Sequence, residues 1–447
     1  MEIKNICCIG AGYVGGPTMA VIALKCPHLN ITIVDNNTEK IKSWNGPLEN
    51  LPVYEPGLAE IIKEVRGKNL NFSNDIKSSI EKSEMIFMAI NTPTKTEGEG
   101  AGMAADLRFV EACARDIAKF SKSDKIVIEK STLPVKTAEK IKKILEENST
   151  NIHFEILSNP EFLAEGTAIQ DLFKSDRVLI GGDNTESGQK AVKALSEIYN
   201  RWIPKEKIIT TNVWSSELSK LASNAMLAQR ISSINSLSAL CEKTGADINE
   251  ISLAIGLDHR IGPHFLKASV AFGGSCFQKD ILNLVYLCQF YGLYQVAEYW
   301  HQVVKINDYQ KNRFAQTIIE HFDGDLSDKK ILILGWAFKA NTNDSRESAS
   351  IFVTHKLFDA GAKIDIYDPL VQRKNIIEDI NTIWGYTFDQ VKHRIDITKE
   401  KISFDKYDAF VILTEYEEFK GFEIDPNKVF DGRNIFNQAL YSIGRGQ

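Results

Sequence analysis

Asn5-Ile6-Cys7-Cys8-Ile9-Gly10-Ala11-Gly12-Tyr13-Val14-Gly15 decides the fold: an apolar run of strand composition, a G-x-G-x-x-G turn, then the start of a helical segment. The first Gly permits a tight strand-to-helix turn and the second lets the backbone approach a pyrophosphate. The third lets the helix pack close to the strand, and the helix N-terminus attracts phosphate charge. The next β-branched run, Ile31–Asp35, ends on an acid able to accept both ribose hydroxyls and to repel a 2′-phosphate. That favours NAD over NADP, with Lys40 nearby pulling the other way. Without the strand, helix and acid in register, the same residues would be only a glycine-rich turn.

Working outward, Met85–Ile90, Lys125–Glu129, Phe154–Leu157 and Arg177–Gly181 also read as strands between amphipathic stretches, which predicts a doubly wound parallel sheet. Asn91-Thr92, Ser131-Thr132 and Ser158-Asn159 follow three of these strands, where a parallel sheet binds its ligands. Ile90, Asn91, Thr92, Ser131 and Thr132 therefore join Gly10, Ala11, Gly12, Tyr13, Val14 and Gly15 as expected cofactor contacts. Asn159-Pro160 reads as the cap and first residue of a helix, which puts Glu161 and Glu165 one turn apart.

Val213 to Lys243 run without Gly or Pro at close to helical period, predicting one helix of about 45 Å that bridges domains or subunits. Helical segments continue to about His321. Strands then return at Ile331–Leu334, Lys363–Tyr367 and Asp408–Thr414, which implies a second, smaller Rossmann-like domain. The partition expected is 1–212, 213–323 and 324–447: an α/β protein of two doubly wound sheets joined by a helical segment.

Composition sets the limits. In 447 residues, 53 Lys+Arg face 59 Asp+Glu for a net charge of -6, and 43% are hydrophobic. Disorder is excluded as the main state, and dispersed cations give no footprint for nucleic acid. No apolar run approaches the ~18 residues of a membrane helix. Met1-Glu2-Ile3-Lys4 leads straight into a strand with no leader pattern, so a cytoplasmic location is expected. The cysteines, Cys7, Cys8, Cys26, Cys113, Cys241, Cys276 and Cys288, form no Cys-x-x-Cys pair, and the histidines show no ligand spacing, so no metal is assigned.

One cysteine stands apart. In Phe272-Gly273-Gly274-Ser275-Cys276-Phe277-Gln278-Lys279-Asp280, Cys276 opens a helix beside Lys279, and both features favour a thiolate, while the glycines leave room for a substrate. It is a nucleophile or an incidental thiol. As a nucleophile in an NAD enzyme it would add to an aldehyde, and oxidation of the thiohemiacetal would give a thioester that water hydrolyses to an acid. Lys220 and Asn224, one turn apart, can hold the oxyanion or belong to a solvated stripe. Glu161, Glu165 and Asp280 are alternative bases for the water. Lys339 and Phe338 follow strand Ile331–Leu334, where a cation and an aromatic can meet a diphosphate and a base.

Gly10–Pro17, Ser158–Ile169, Ser215–Asn224 and Phe272–Asp280, in this order, closely resemble the UDP-glucose 6-dehydrogenases, the animal type above all. The resemblance spans essentially the whole chain. It implies two NAD-dependent oxidations at C6 of UDP-glucose to UDP-glucuronate through a cysteine thioester. Carried over by motif, Cys276 is the nucleophile, Glu161 the base, Lys220 and Asn224 hold the oxyanion, and Asp280 and Thr132 position the water. Cofactor contacts implied in addition to the glycine turn are Asp35, Lys40, Thr92, Thr132, Glu165, Cys276, Lys279 and Arg346. The sugar nucleotide would meet Glu161, Phe162, Leu163, Ala164 and Glu165, then Phe265, Lys267, Ser269, Phe272 and Gly273, then Phe338, Lys339 and Arg433. Arg260 would reach it from a neighbouring subunit of a dimer that assembles into a homohexamer. The three segments become an NAD domain, a dimerisation domain and a UDP-sugar domain, and UDP-xylose is the expected inhibitor. Lys40 replaces the usual Arg, Ala271 a Gly, Trp336 a Phe and Ala340 a second Lys; the segment before Val429 is shorter and a polar tail after Gly446 is lacking. The nearest alternative is a dehydrogenase of UDP-N-acetylmannosamine or GDP-mannose. A sensor with a silent cysteine and a two-electron alcohol dehydrogenase are the others.

Overall fold

The computed structural model describes residues 2–398 and 402–446; Met1, in the stretch expected to carry no leader, and Gln447, the last residue of the expected 324–447 segment, lie outside the described residues. The chain divides into two compact units, residues 1–223 and 224–447. The first holds eight strands: β1 (Asn5–Ile9), β2 (Asn30–Val34), β3 (Leu70–Ser73), β4 (Met85–Met88), β5 (Lys125–Glu129), β6 (Phe154–Ser158), β7 (Val178–Gly181) and β8 (Ile208–Thr211). Their order is β3-β2-β1-β4-β5-β6-β7-β8. Neighbours run parallel except β6 and β7, which meet antiparallel at Ser158 and Gly181.

Alternation along the central strands builds a core on each face, as burial of both faces of a parallel sheet requires. Ile6 and Cys8 of β1 pack with Ile126 and Ile128 of β5 on one side. Cys7 and Ile9 pack with Val127 on the other. Helix Gly15–Lys25 covers the first face and buries Gly15 through Ala23.

The second unit contains helices Ile248–Gly256, Phe277–Phe290 and Tyr294–His321 and a six-stranded sheet. Its strands are β9 (Lys330–Leu334), β10 (Lys363–Tyr367), β11 (Ile395–Thr398), β12 (Ala409–Ile412), β13 (Val429–Asp431) and β14 (Tyr441–Ser442), all parallel in the order β11-β10-β9-β12-β13-β14. The uninterrupted helix predicted from Val213 runs to Thr244 and contains the boundary at Ser223.

The helix expected at Asn159-Pro160 does not form. Residues 159–164 are non-helical, and the helix begins only at Ala168. Asn159 spends its side chain on the sheet instead: its amide donates to the Leu179 carbonyl at 2.8 Å, and its Oδ1 accepts from the Tyr199 hydroxyl at 2.7 Å. The helix-start amides of Gly166 and Ala168 are satisfied by the buried Glu55 carboxylate, at 2.8 and 3.1 Å. Glu161 and Glu165 are therefore not one helical turn apart.

Among the described residues no helix is long and apolar enough to cross a membrane, and no group of three or more His, Cys, Asp or Glu is placed to hold a metal ion.

Candidate active site

The turn after β1 is built for close approach. Gly10 has φ +113°, its amide donates to the Val34 carbonyl at 2.8 Å, and a Cβ there would lie 2.1 Å from the Ala89 oxygen. A Cβ on Gly15 would lie 2.0 Å from the Gly10 oxygen, so the third Gly lets the helix begin at once. Around Gly12 a Cβ would meet nothing within 4 Å. That open face, at a helix whose start no side chain caps, is the cradle that a pyrophosphate needs. Ala11, Tyr13 and Val14 complete the turn, with the Ala11 carbonyl held by the Trp44 indole at 3.0 Å.

Asp35 stands at the end of β2. Its Oδ2 accepts from the Ala11 amide at 3.0 Å and from Lys40 Nζ at 2.9 Å, and its Oδ1 from the Asn37 amide at 2.9 Å. Burial opposes its ionisation, but the Asn37 and Ala11 amides and the Lys40 ammonium outweigh it and hold the carboxyl below its usual range. The loops after β4 and β5 are pinned to each other. The Ser131 hydroxyl donates to the Ile90 carbonyl at 2.6 Å and the Thr92 hydroxyl to the Thr132 carbonyl at 3.1 Å, while Asn91 is exposed. The residues present therefore fit a dinucleotide with an unphosphorylated ribose.

Beyond β6, Glu161 faces Lys130, with Nζ to Oε2 at 2.8 Å, and its Oε1 accepts from the Phe162 amide at 2.7 Å. The Phe162 ring carries two cations: the Arg177 guanidinium 3.9 Å and Lys220 Nζ 5.2 Å from its centroid. Leu163 and Glu165 are half-buried, and the Ala164 amide donates to Asp171 at 3.0 Å.

In the second unit Cys276 caps helix Phe277–Phe290 and is exposed, whereas the other six cysteines are buried. Burial pushes the Cys7, Cys8 and Cys113 thiols far up and that of Cys26 up to about 11, which leaves them inert. The Asp280 amide donates to the Cys276 carbonyl at 2.9 Å. The buried Asp280 carboxylate accepts from the Asn224 amide at 2.6 Å and lies 3.3 Å from Lys279 Nζ. Asp280 is thus no solvated first-turn carboxylate: it ties Asn224 to the helix that presents the thiol.

The loop from Phe265 to Gly273 is fastened from helix Tyr294–His321. Asn307 exchanges two hydrogen bonds with the Phe272 backbone, at 2.9 and 3.0 Å, and Gln310 donates to the Ser269 carbonyl at 2.9 Å. Phe265 has φ +61°, and Lys267 is exposed. A Cβ on Gly274 would meet the Phe338 ring at 3.0 Å, and one on Gly273 the Glu347 oxygen at 2.6 Å. Arg433, buried, donates to the Leu413 and Phe338 carbonyls at 2.7 and 2.8 Å, and Lys339 follows Phe338. Arg346 is paired with Asp344. Arg260, with its side chain 78% exposed, is paired with Asp258. Lys130, Asn307 and Gln310 escape a reading of the sequence. A polar residue in the middle of a long helix, as at Asn307 and Gln310, is the one signal that points to such a fastening.

Three family models match the chain in succession. The NAD binding domain of the UDP-glucose/GDP-mannose dehydrogenase family matches residues 4–203, its central domain 214–309, and its UDP binding domain 332–438. The chain belongs to the UDP-glucose/GDP-mannose dehydrogenase family. It is 55% identical to UDP-glucose 6-dehydrogenase of Mus musculus, over 99% of this chain and 92% of that protein. It is 54% identical to UDP-glucose 6-dehydrogenase 5 of Oryza sativa subsp. japonica, over 99% of this chain and 97% of that protein. Among solved structures it resembles a UDP-glucose dehydrogenase from Pyrobaculum islandicum, with TM-score 0.87 and 28% identity over 100% of this chain and 98% of that one. The UDP-D-ManNAc dehydrogenase of Pyrococcus horikoshii shares the fold at TM-score 0.78 and 23% identity, over 99% of this chain and 100% of that one.

Proposed function

We propose that this member of the family is an NAD-dependent UDP-glucose 6-dehydrogenase that carries the C6 alcohol through to UDP-glucuronate. The observation that carries the reading is Cys276, the single exposed cysteine of seven, set on a helix start braced by Asp280, Asn224 and Lys279. Bound NAD supplies hydride acceptance, twice per sugar. Gly10, Ala11, Gly12, Tyr13, Val14 and Gly15 would cradle its pyrophosphate and Asp35 its ribose, with Lys40, Ile90, Asn91, Thr92, Ser131, Thr132, Glu165, Lys279 and Arg346 as further contacts.

The Cys276 sulfur adds to the C6 aldehyde, and Lys220 and Asn224 hold the resulting oxyanion. After the second oxidation, water attacks the thioester carbon. Glu161 takes the water's proton, the C–S bond breaks, and the electron pair leaves on the Cys276 sulfur. Asp280 and Thr132 position that water. Phe162 through Glu165, the Phe265–Gly273 loop, Phe338, Lys339 and Arg433 hold the UDP-sugar. In the same reading Arg260 serves a neighbouring subunit of a homodimer that assembles to a homohexamer, UDP-xylose competes at the sugar site, and the enzyme is cytoplasmic. The chain then works as an NAD domain (1–212), a dimerisation domain (213–323) and a UDP-sugar domain (324–447).

The test is NADH yield with limiting UDP-glucose, UDP-N-acetylmannosamine or GDP-mannose, with the product weighed by mass spectrometry. Two NADH and UDP-glucuronate from UDP-glucose are expected. Cys276→Ser should lower acid formation by about a thousandfold or more with the melting temperature unchanged. One NADH with an aldehyde product would overturn the thioester route, and turnover of another sugar alone would overturn the substrate.

A further inference from the structure

Lys130 follows β5 with its side chain only 4% exposed, and its ammonium faces three oxygens: Glu161 Oε2 at 2.8 Å, Asn159 Oδ1 at 3.2 Å and the Tyr199 hydroxyl at 3.3 Å. These match its three donors. The oxygens are themselves fixed. Tyr199 donates to Asn159 Oδ1 at 2.7 Å, and Asn159 donates to the Leu179 carbonyl of β7 at 2.8 Å. The Glu161 carboxylate, its side chain 13% exposed, is held by the Phe162 amide at 2.7 Å, with the Thr18 hydroxyl at 3.4 Å.

A buried ion pair is a poor way to stabilise a fold, because desolvating both charges offsets most of their attraction. Tyr199 and Asn159 would be satisfied by each other without a cation. What the cation changes is the carboxylate: in a nearly dry position an unpartnered Glu favours its neutral form, which cannot accept a proton.

We propose that Lys130 is a positioning residue for thioester hydrolysis: its ammonium, anchored by Tyr199 and Asn159, pairs with the Glu161 carboxylate and aims it to take the proton of the attacking water. This rests on the reading of Glu161 as the base. The titratable groups facing the pair are Tyr199 from helix Glu186–Tyr199 and Cys8 from β1. Burial raises both, so both stay neutral, and Thr18 adds only a hydroxyl. Burial pulls the Lys130 ammonium down, but Glu161 and Tyr199 bring it above its ordinary value, so it stays charged throughout the working range.

The experiment follows acid-quenched enzyme by intact mass across pH 6–9, with UDP-glucose and NAD, in wild type, Lys130→Met, Lys130→Arg, Tyr199→Phe and Glu161→Gln. Glu161→Gln should accumulate the thioester at every pH. Lys130→Met should form the thioester at the wild-type rate but accumulate it near neutrality, with the acid limb of hydrolysis moved up by about 1–3 pH units. Lys130→Arg should return the limb most of the way. Tyr199→Phe should move it in the same direction by less, and it carries the test if Lys130→Met does not fold. A wild-type limb in Lys130→Met, or in Tyr199→Phe where that variant carries the test, overturns the proposal. If Glu161→Gln does not accumulate thioester, it is the base assignment that falls.

Discussion

The chain contains the same strand-turn motif twice, and the two copies differ where it matters. After β1 the Gly10 amide donates to the Val34 carbonyl and the next amide, of Ala11, to Asp35; after β9 the Gly335 amide donates to the Tyr367 carbonyl and the next amide, of Trp336, to Asp368. From there they part. In the first copy the helix starts at Gly15, and Gly12 faces open space. In the second, Trp336 and Ala337 are fully buried, the Ala337 carbonyl is taken by the Thr414 hydroxyl, and the helix is delayed to Ala349. The acids differ likewise. Asp368, 2% exposed, accepts from the amides of Trp336, Ala337, Leu370 and Val371 and from the Tyr416 hydroxyl. Nothing is left there for a ribose. The backbone sets the turn; side-chain volume and hydrogen-bond saturation decide whether it is a dinucleotide site or a piece of core.

The contrast can be broken most forcefully at its shared glycine. A Cβ on Gly335, at φ +98°, would lie 2.3 Å from the Thr414 side chain and 2.7 Å from its backbone nitrogen. Gly335→Ala should cost about 4 kcal/mol in urea unfolding. Gly12→Ala meets no protein atom, so its melting temperature should hold while the KM for NAD rises.

Next come the acids. Asp368→Ala orphans buried donors and should lower stability by about 3 kcal/mol with little change in affinity for NAD. Asp35→Ala should raise the KM for NAD about tenfold or more and lower stability by less than Asp368→Ala, because it orphans fewer donors and one of them, Lys40, keeps solvent. Equal stability losses in the two variants would erase the distinction.

The smallest effect lies at another strand end. Glu129, closing β5, has both oxygens buried without an incoming hydrogen bond, beside Glu217, which accepts from the Lys136 and Ala138 amides at 2.8 Å each. Burial first, then the Glu217 charge, raises the Glu129 carboxyl well above its usual value, so Glu129 keeps its proton and shares it with Glu217. A carboxyl whose folded value is raised stabilises most below its unfolded value, near 4.3, and loses that contribution as pH rises through the folded one. The stability of wild type in urea unfolding should therefore fall relative to that of Glu129→Gln as pH rises above about 4.3, by about 1 kcal/mol or more. Parallel pH dependence in the two proteins would exclude a shared proton.

What was legible in the sequence follows from the same physics. β1 and its turn were readable because buried parallel strands are apolar on both faces and the glycines have fixed spacing. β3 and β8 were not: Leu70–Ser73 and Ile208–Thr211 are edge strands, short and half polar. Asn159-Pro160 misled because the helix-cap chemistry of Asn is equally suited to bridging β7 and Tyr199, which only the fold brings together. Cys276, Lys220 and Asp280 sit in recognisable motifs. The partners that fix such residues, Lys130 for Glu161 and Asn307 for Phe272, are distant in sequence and carry no spacing of their own.

The central claim is that of two like turns only the first is open to a dinucleotide. Calorimetric titration of NAD into the whole chain tests it most directly. One NAD per chain is predicted, with binding lost or weakened at least about tenfold in Asp35→Ala. Two NAD per chain, or a single one bound with wild-type affinity by Asp35→Ala, would contradict it.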